Sequence, residues 1–184
     1  MKLIDPRSDP WHRLEGEDGP LEHPSPSAHA LLTLAQWHAV REDWPAALAV
    51  GLLLPADADV EALAADLPRF ALVAPQFPKW TDGRAYSQAR LLRARLRYGG
   101  EIRATGEVVA DMLPLLRRTG FDSARLRPDQ NPAAALRTLG AFGGHYQGDV
   151  LQPIPAFARD VARELAERMR RQRREAELAA GEGI

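Results

Sequence analysis

Short apolar runs alternate with helix-period segments along the middle of this chain, and that alternation limits the folds open to it. Ala47 to Leu54 and Phe70 to Ala74 are such runs, and Glu101 to Thr105 and Ser123 to Leu126 continue the same spacing as a third and a short fourth strand segment. Bounded by Pro, Gly and Asp, they read as short buried strands. The stretches between them carry apolar residues at helical spacing. Val60, Leu63, Ala64 and Leu67 follow a cap at Asp57 or Asp59. Ala85, Ala89, Leu92 and Leu96 mark a helix from Gly83 to Arg97. Val108, Met112, Leu115 and Leu116 mark another, started late or kinked at Pro114 and stopped by Gly120. Pro132 to Phe142 reads as a further helix, and His145-Tyr146-Gln147 as a fifth strand. Strands alternating with helices build right-handed βαβ units. The expected fold is α/β, with a short, mostly parallel sheet of about four to five strands. It is open or curled like half a barrel, with too few strands to close a barrel of eight.

The two ends read differently. Residues 1–28 are rich in Pro, Gly, Asp, Glu and Ser and read as a loop or extended arm, tacked down by Trp11 and Leu14. A first helix is expected from His29 to Arg41, on the spacing of Leu31, Leu34, Ala35 and His38. It opens a single α/β domain over 29–150. Gln152-Pro153-Ile154-Pro155 is a break. Beyond it, over 151–184, a long charged helix is expected from Ala156 to Leu178, striped by Phe157, Val161, Leu165 and Met169 and able to support a homodimer.

Composition removes several function classes. The chain has 184 residues, a formal net charge of -1 and no cysteine. That charge calls for neither nucleic acid nor an anionic membrane as partner, and the basic run at 170–174 is balanced by acids. Without cysteine, disulfide, iron–sulfur and zinc–thiolate chemistry is excluded within the chain. No GxGxxG or P-loop pattern occurs, and the five histidines show no metal-ligand spacing. The residues therefore specify no cofactor, and a redox role would need a bound carrier. With no signal-peptide core and no apolar run of membrane length, the cytoplasm is the expected compartment.

Ligands of parallel α/β proteins sit beyond the carboxyl ends of the strands. The richest loop there is Phe77-Pro78-Lys79-Trp80-Thr81-Asp82-Gly83-Arg84-Ala85-Tyr86-Ser87. Lys79 offers a mobile charge, and Arg84 a planar fork for a sulfur or phosphorus oxyanion. Gly83 leaves room for close backbone approach, and Tyr86 and Ser87 add hydroxyls. Phe77 and Trp80 can wall the site or stack on a planar ligand. Arg127 and Asp129 lie at the same expected edge and can complete a pocket. Structural roles account for the same residues. Thr81 or Asp82 can cap the helix, Phe77 and Trp80 can be core, and Arg84 can pair with Asp82 or Asp111. Arg90, Arg93 and Arg97 share a helix face that reads as solvated, and His145 reads as structural.

The block from Phe77 to Arg93 resembles a bacterial family catalogued as a domain of unknown function, number 934. The resemblance continues through Gly100-Glu101-Ile102-Arg103-Ala104-Thr105-Gly106-Glu107-Val108, Arg117 to Asp122, and His145-Tyr146-Gln147. Thr119 stands where the family tends to carry cysteine, which argues against thiol chemistry. The resemblance implies a role in assimilatory sulfite reduction. In one form the chain is an oxidoreductase or accessory binding a small oxyanion at Lys79, Thr81, Asp82, Gly83, Arg84, Tyr86 and Ser87. In the other it is a non-catalytic module docking on a sulfite-reductase component, with Trp80, Tyr86 and Arg84 as anchors. A concave site favours the first, a flat aromatic face the second.

Overall fold

The computed structural model describes residues 1–141, 144–160, 165–170 and 172–173. The chain divides into two units, Met1–Gly143 and Gly144–Ile184.

In the first unit the arm contributes four short strands: β1 (Lys2–Leu3), β2 (His12–Arg13), β3 (Glu15–Gly16) and β4 (Gly19–Pro20). The body follows as β5 (Ala30–Thr33), α1 (Leu34–Val40), β6 (Val50–Leu54), β7 (Phe70–Phe77), α2 (Arg84–Arg90), β8 (Glu101–Gly106), α3 (Leu113–Thr119), β9 (Ser123–Ala124) and α4 (Pro132–Thr138). Seven of the strands form one sheet in the order β1-β9-β8-β7-β6-β5-β2, and every pairing in it is parallel. β3 and β4 form a separate antiparallel hairpin. From β5 to β9 the spatial order is the sequence order. Successive crossovers of one hand then fall on one face, and the sheet curls into half a barrel.

Period-two alternation sorts the side chains between the two faces. Ala30, Leu32, Val50, Leu52, Leu54, Val73, Phe77, Ile102, Ala104 and Ala124 face the helices. There they pack against Trp37, Leu63, Leu67, Ala85, Ala89, Leu92, Leu113 and Leu116. Leu31, Leu53, Leu72 and Ala74 face the concave side, where Trp11 of the arm packs on them. The arm crosses this concave side from one edge of the sheet to the other. β1 pairs with β9, the Asp9 carboxylate meets Arg103 on β8, Trp11 lies over Gly51 on β6, and β2 pairs with β5.

The sheet thus has seven strands, where the sequence suggested four or five. Ala30–Thr33 lies inside the helix expected over 29–41. Its apolar run extends as a strand, and Thr33 then caps the shorter α1 in a capping box with Gln36. The two-residue strands of the arm have no periodicity to read. Tertiary pairing makes them. The helix expected after Asp59 is replaced by two 3₁₀ turns, Glu61–Leu63 and Leu67–Arg69, the second containing Pro68. Pro would remove a hydrogen bond inside a longer helix. α2 continues into a π-helical turn at Leu91–Arg95. Gly120 ends α3 in the left-handed region at φ 107°, and Asn131 caps α4 ahead of Pro132.

In the second unit, His145-Tyr146-Gln147 forms no strand. His145 instead places Nε2 2.7 Å from the Asp149 carboxylate. No helix begins at Ala156. Ala156–Ala158 is a single 3₁₀ turn, and Arg159 is extended. Tyr146 and Phe157 stack with ring centres 5.3 Å apart. Residues 165–170 and 172–173 are helical. The rest of the expected span to Leu178, like Phe142 at the end of the expected 132–142 helix, lies outside the described residues. Among the described residues no helix is long and apolar enough to cross a membrane.

Candidate functional site

β7 delivers the candidate segment to the carboxyl edge of the sheet. Phe77 is the last residue of the strand and is buried, so its ring is core rather than wall. Tyr86, one turn into α2, packs edge-on to it with centroids 5.1 Å apart and also meets Phe121. Burial pushes the Tyr86 phenol up to about 12, so it stays protonated at any neutral pH. These two aromatics anchor the loop from inside.

The remaining residues point outward. Lys79, Thr81, Gly83, Arg84 and Ser87 are exposed, and Trp80 leaves 59% of its surface in solvent. Asp82 is half-buried and organises the helix start. Its Oδ1 accepts the Arg84 amide at 3.1 Å, and its carboxylate grips the Arg84 guanidinium, with Nη2 to Oδ2 at 2.7 Å. The hydrogen bonds from Arg84 hold the Asp82 carboxyl down at about 2. The pair anticipated as the structural role of Arg84 therefore forms, and Asp82 occupies the first helical amide. Gly83 has an ordinary φ of -84°, and an added Cβ there meets nothing within 4 Å. No close approach calls for glycine at this position.

Arg127 and Asp129 do reach the same edge. The Glu107 amide donates to the Phe77 carbonyl at 2.9 Å, and the Glu107 carboxylate accepts Arg127 Nη1 at 3.0 Å. Asp129 takes Arg127 Nε at 2.8 Å. The second guanidinium of the edge is thus also held between carboxylates, which raise its pKa further and bring the Asp129 carboxyl down to about 2. An oxyanion arriving here would compete with carboxylates that both arginines already hold.

An open cleft of about 270 Å³ lined by Leu67, Phe70, Leu96, Tyr98, Gly99 and Gly100 lies at the amino ends of β7 and β8, away from this loop. Among the described residues no three His, Asp or Glu side chains gather to hold a metal ion.

Two further side chains, one that sequence reasoning passed over and one that it read as solvated, hold α2 and its continuation to their neighbours. Gln88, buried in α2, donates through Nε2 to the Pro55 and Ala58 carbonyls at 2.8 and 3.1 Å, fixing the neighbouring loop after β6. Arg93 is tethered rather than solvated. Its Nε donates to the Gly120 carbonyl at 3.1 Å and Nη1 to the Gly100 carbonyl at 2.8 Å, while Nη2 pairs with Asp122. Its helical spacing with Arg90 and Arg97 gave no sign of this. The signal lay in the fixed company of Gly100, Gly120 and Asp122, which only the fold brings together.

No curated protein matches the chain. A family described as bacterial protein of unknown function (DUF934) matches residues 51–157, from β6 past α4 and through both arginine pairs of the carboxyl edge. That match spans more than half of the sequence, and the chain belongs to this family.

Proposed function

We propose that the chain is a docking module, engaging a protein partner through the loop–helix edge at 77–90. Trp80 carries the reading. A large aromatic ring stands 59% exposed at the tip of a loop whose other aromatics are packed inward. Exposed aromatics beside arginine are the residues that most often dominate protein interfaces. The Asp82–Arg84 pair beside it presents a polar rim, and Lys79 adds an exposed charge. The oxyanion reading of the same edge has weaker support, because Arg84 and Arg127 already hold carboxylates. The resemblance to a family linked with sulfite reduction suggests the partner, a component of assimilatory sulfite reductase.

Trp80→Ala tests this reading. Its effect on folding is expected within about 0.5 kcal/mol, as for an exposed site. Its effect on the equilibrium dissociation constant for the sulfite-reductase component is expected to be at least about 30-fold, the loss of one interface anchor. Unchanged affinity in a folded variant would remove Trp80 from the interface.

A further inference from the structure

The concave side of the half-barrel carries the most deeply buried charge described in the molecule. Arg103 projects into it from the middle of β8, with its side chain only 5% exposed. Its two edges are held differently. Glu101, two residues earlier on the same strand, takes Nε at 3.0 Å and Nη2 at 2.9 Å, and is itself held by the Ser123 hydroxyl on β9. The sheet therefore orients the guanidinium by itself. The remaining edge, Nη1, is met by both oxygens of Asp9, at 2.9 and 2.7 Å.

Asp9 comes from outside the sheet's crossover units. The strap that carries it is attached by two ladders of two residues each, with Trp11 packed over Gly51. Asp5, Pro6, Arg7 and Ser8 between them are exposed. Met1 and Leu3 pack on the core before this stretch and Trp11 after it, but the stretch itself buries little, and such a segment opens at the low end of a protein's range of local stabilities. A buried ion pair is also a weak source of stability compared with apolar packing of the same volume. Leu31, Leu53, Leu72 and Ala74 pack this face apolarly, so stability alone does not call for an arginine here.

We propose that this concave face is a binding site for a small anion presenting two coplanar oxygens, and that Asp9 occupies the ligand position as an internal substitute. Arg103 offers Nη1 to both oxygens of the ligand, as it does to those of Asp9, while Nε and Nη2 stay on Glu101. Glu101 and Ser123 fix its plane, and the apolar strands with Trp11 form the walls. A carboxylate that replaces Asp9 leaves the charge of the site unchanged at one guanidinium against two carboxylates, whereas a dianionic tetrahedral oxyanion makes it one unit more negative. Binding and release of the strap are then one equilibrium, and a ligand shifts it by its preference for the open state. This site is separate from the 77–90 edge, and neither reading depends on the other.

The test uses the full chain. Hydrogen exchange over residues 2–13 is followed in sodium acetate, sodium sulfate and sodium chloride at matched ionic strength. Acetate or sulfate should accelerate exchange in the strap at least about tenfold in a saturable manner, while chloride should not. Acceleration by acetate alone assigns a carboxylate ligand, and acceleration by sulfate assigns a tetrahedral oxyanion. In Asp9→Asn, which removes the competing charge, the same anion should raise the unfolding temperature saturably. Arg103→Met should abolish both responses. Exchange indifferent to both anions would overturn the proposal, as would a response that persists in Arg103→Met. The wild-type exchange decides alone if Asp9→Asn does not fold.

Discussion

Gly106→Val should destabilise the protein by about 4 kcal/mol, the cost of a forbidden backbone conformation combined with a steric clash. Gly106 closes β8 with φ at 91°, a region that β-branched residues essentially never occupy. A Cβ placed there would lie 2.4 Å from the Phe77 carbonyl oxygen and 3.1 Å from the Phe77 carbonyl carbon. Both are backbone atoms of the neighbouring central strand and cannot rotate aside. The same carbonyl accepts the Glu107 amide at 2.9 Å, so relieving the clash breaks the junction that positions Glu107, Arg127 and the start of the 77–90 loop. Equilibrium urea unfolding measures the loss. Gly83→Ala is the contrast, with φ at -84° and open space around the new Cβ. It should leave stability within about 0.5 kcal/mol of wild type or raise it slightly, because it restricts the unfolded chain.

Arg93→Ala should cost about 3–4 kcal/mol, the scale seen when one partner of a buried hydrogen-bonded charge is removed. The side chain is 16% exposed and ties together two separate pieces of chain, 98–100 and 120–122. Its guanidinium takes the carbonyls of Tyr98, Gly100 and Gly120, pairs with Asp122, and lies 5.7 Å from the centre of the Tyr98 ring. Asp122 in turn accepts the Ile102 amide at 2.8 Å, so the network reaches into β8. Truncation leaves several buried carbonyls without donors. Arg93→Lys should recover only part of the loss, because one ammonium cannot span the fork of acceptors. Both variants are read by urea unfolding. A cost under about 1 kcal/mol for Arg93→Ala would put its contacts in the range of a solvated ion pair.

The parts of this fold legible in the sequence are those that rest on local chemistry. Phe70–Phe77 is a largely apolar run buried on both faces, and such a run can be seen without a structure. Gly120 after an apolar helix stripe, and Asn131 before Pro132, are terminal signals whose physics is contained in a few residues. What the sequence hid is long-range. Ala30–Thr33 is a strand because β2 and β6 flank it, and its leucines also fit a helical spacing. The arm is sheet only because β9 and β5 offer it edges. At the candidate site, the edge placement of Arg127 and the Asp82–Arg84 pair were foreseeable from position and spacing. The tethering of Arg93 and the burial of Arg103 were not, since Gly120 and Asp122 lie 27 and 29 residues from the first and Asp9 lies 94 residues from the second. Several residues carrying the family resemblance, Arg93, Gly100, Gly120 and Asp122, meet in one structural network below the loop rather than at a reacting centre.

The docking proposal concerns the surface at 77–90, and hydrogen exchange in the presence of the proposed partner, a sulfite-reductase component, tests it most directly. Docking through Trp80 predicts protection of the amides between Pro78 and Ser87 that grows with partner concentration and disappears in Trp80→Ala. A saturated complex that leaves this segment unprotected, with protection elsewhere on the chain, would contradict it.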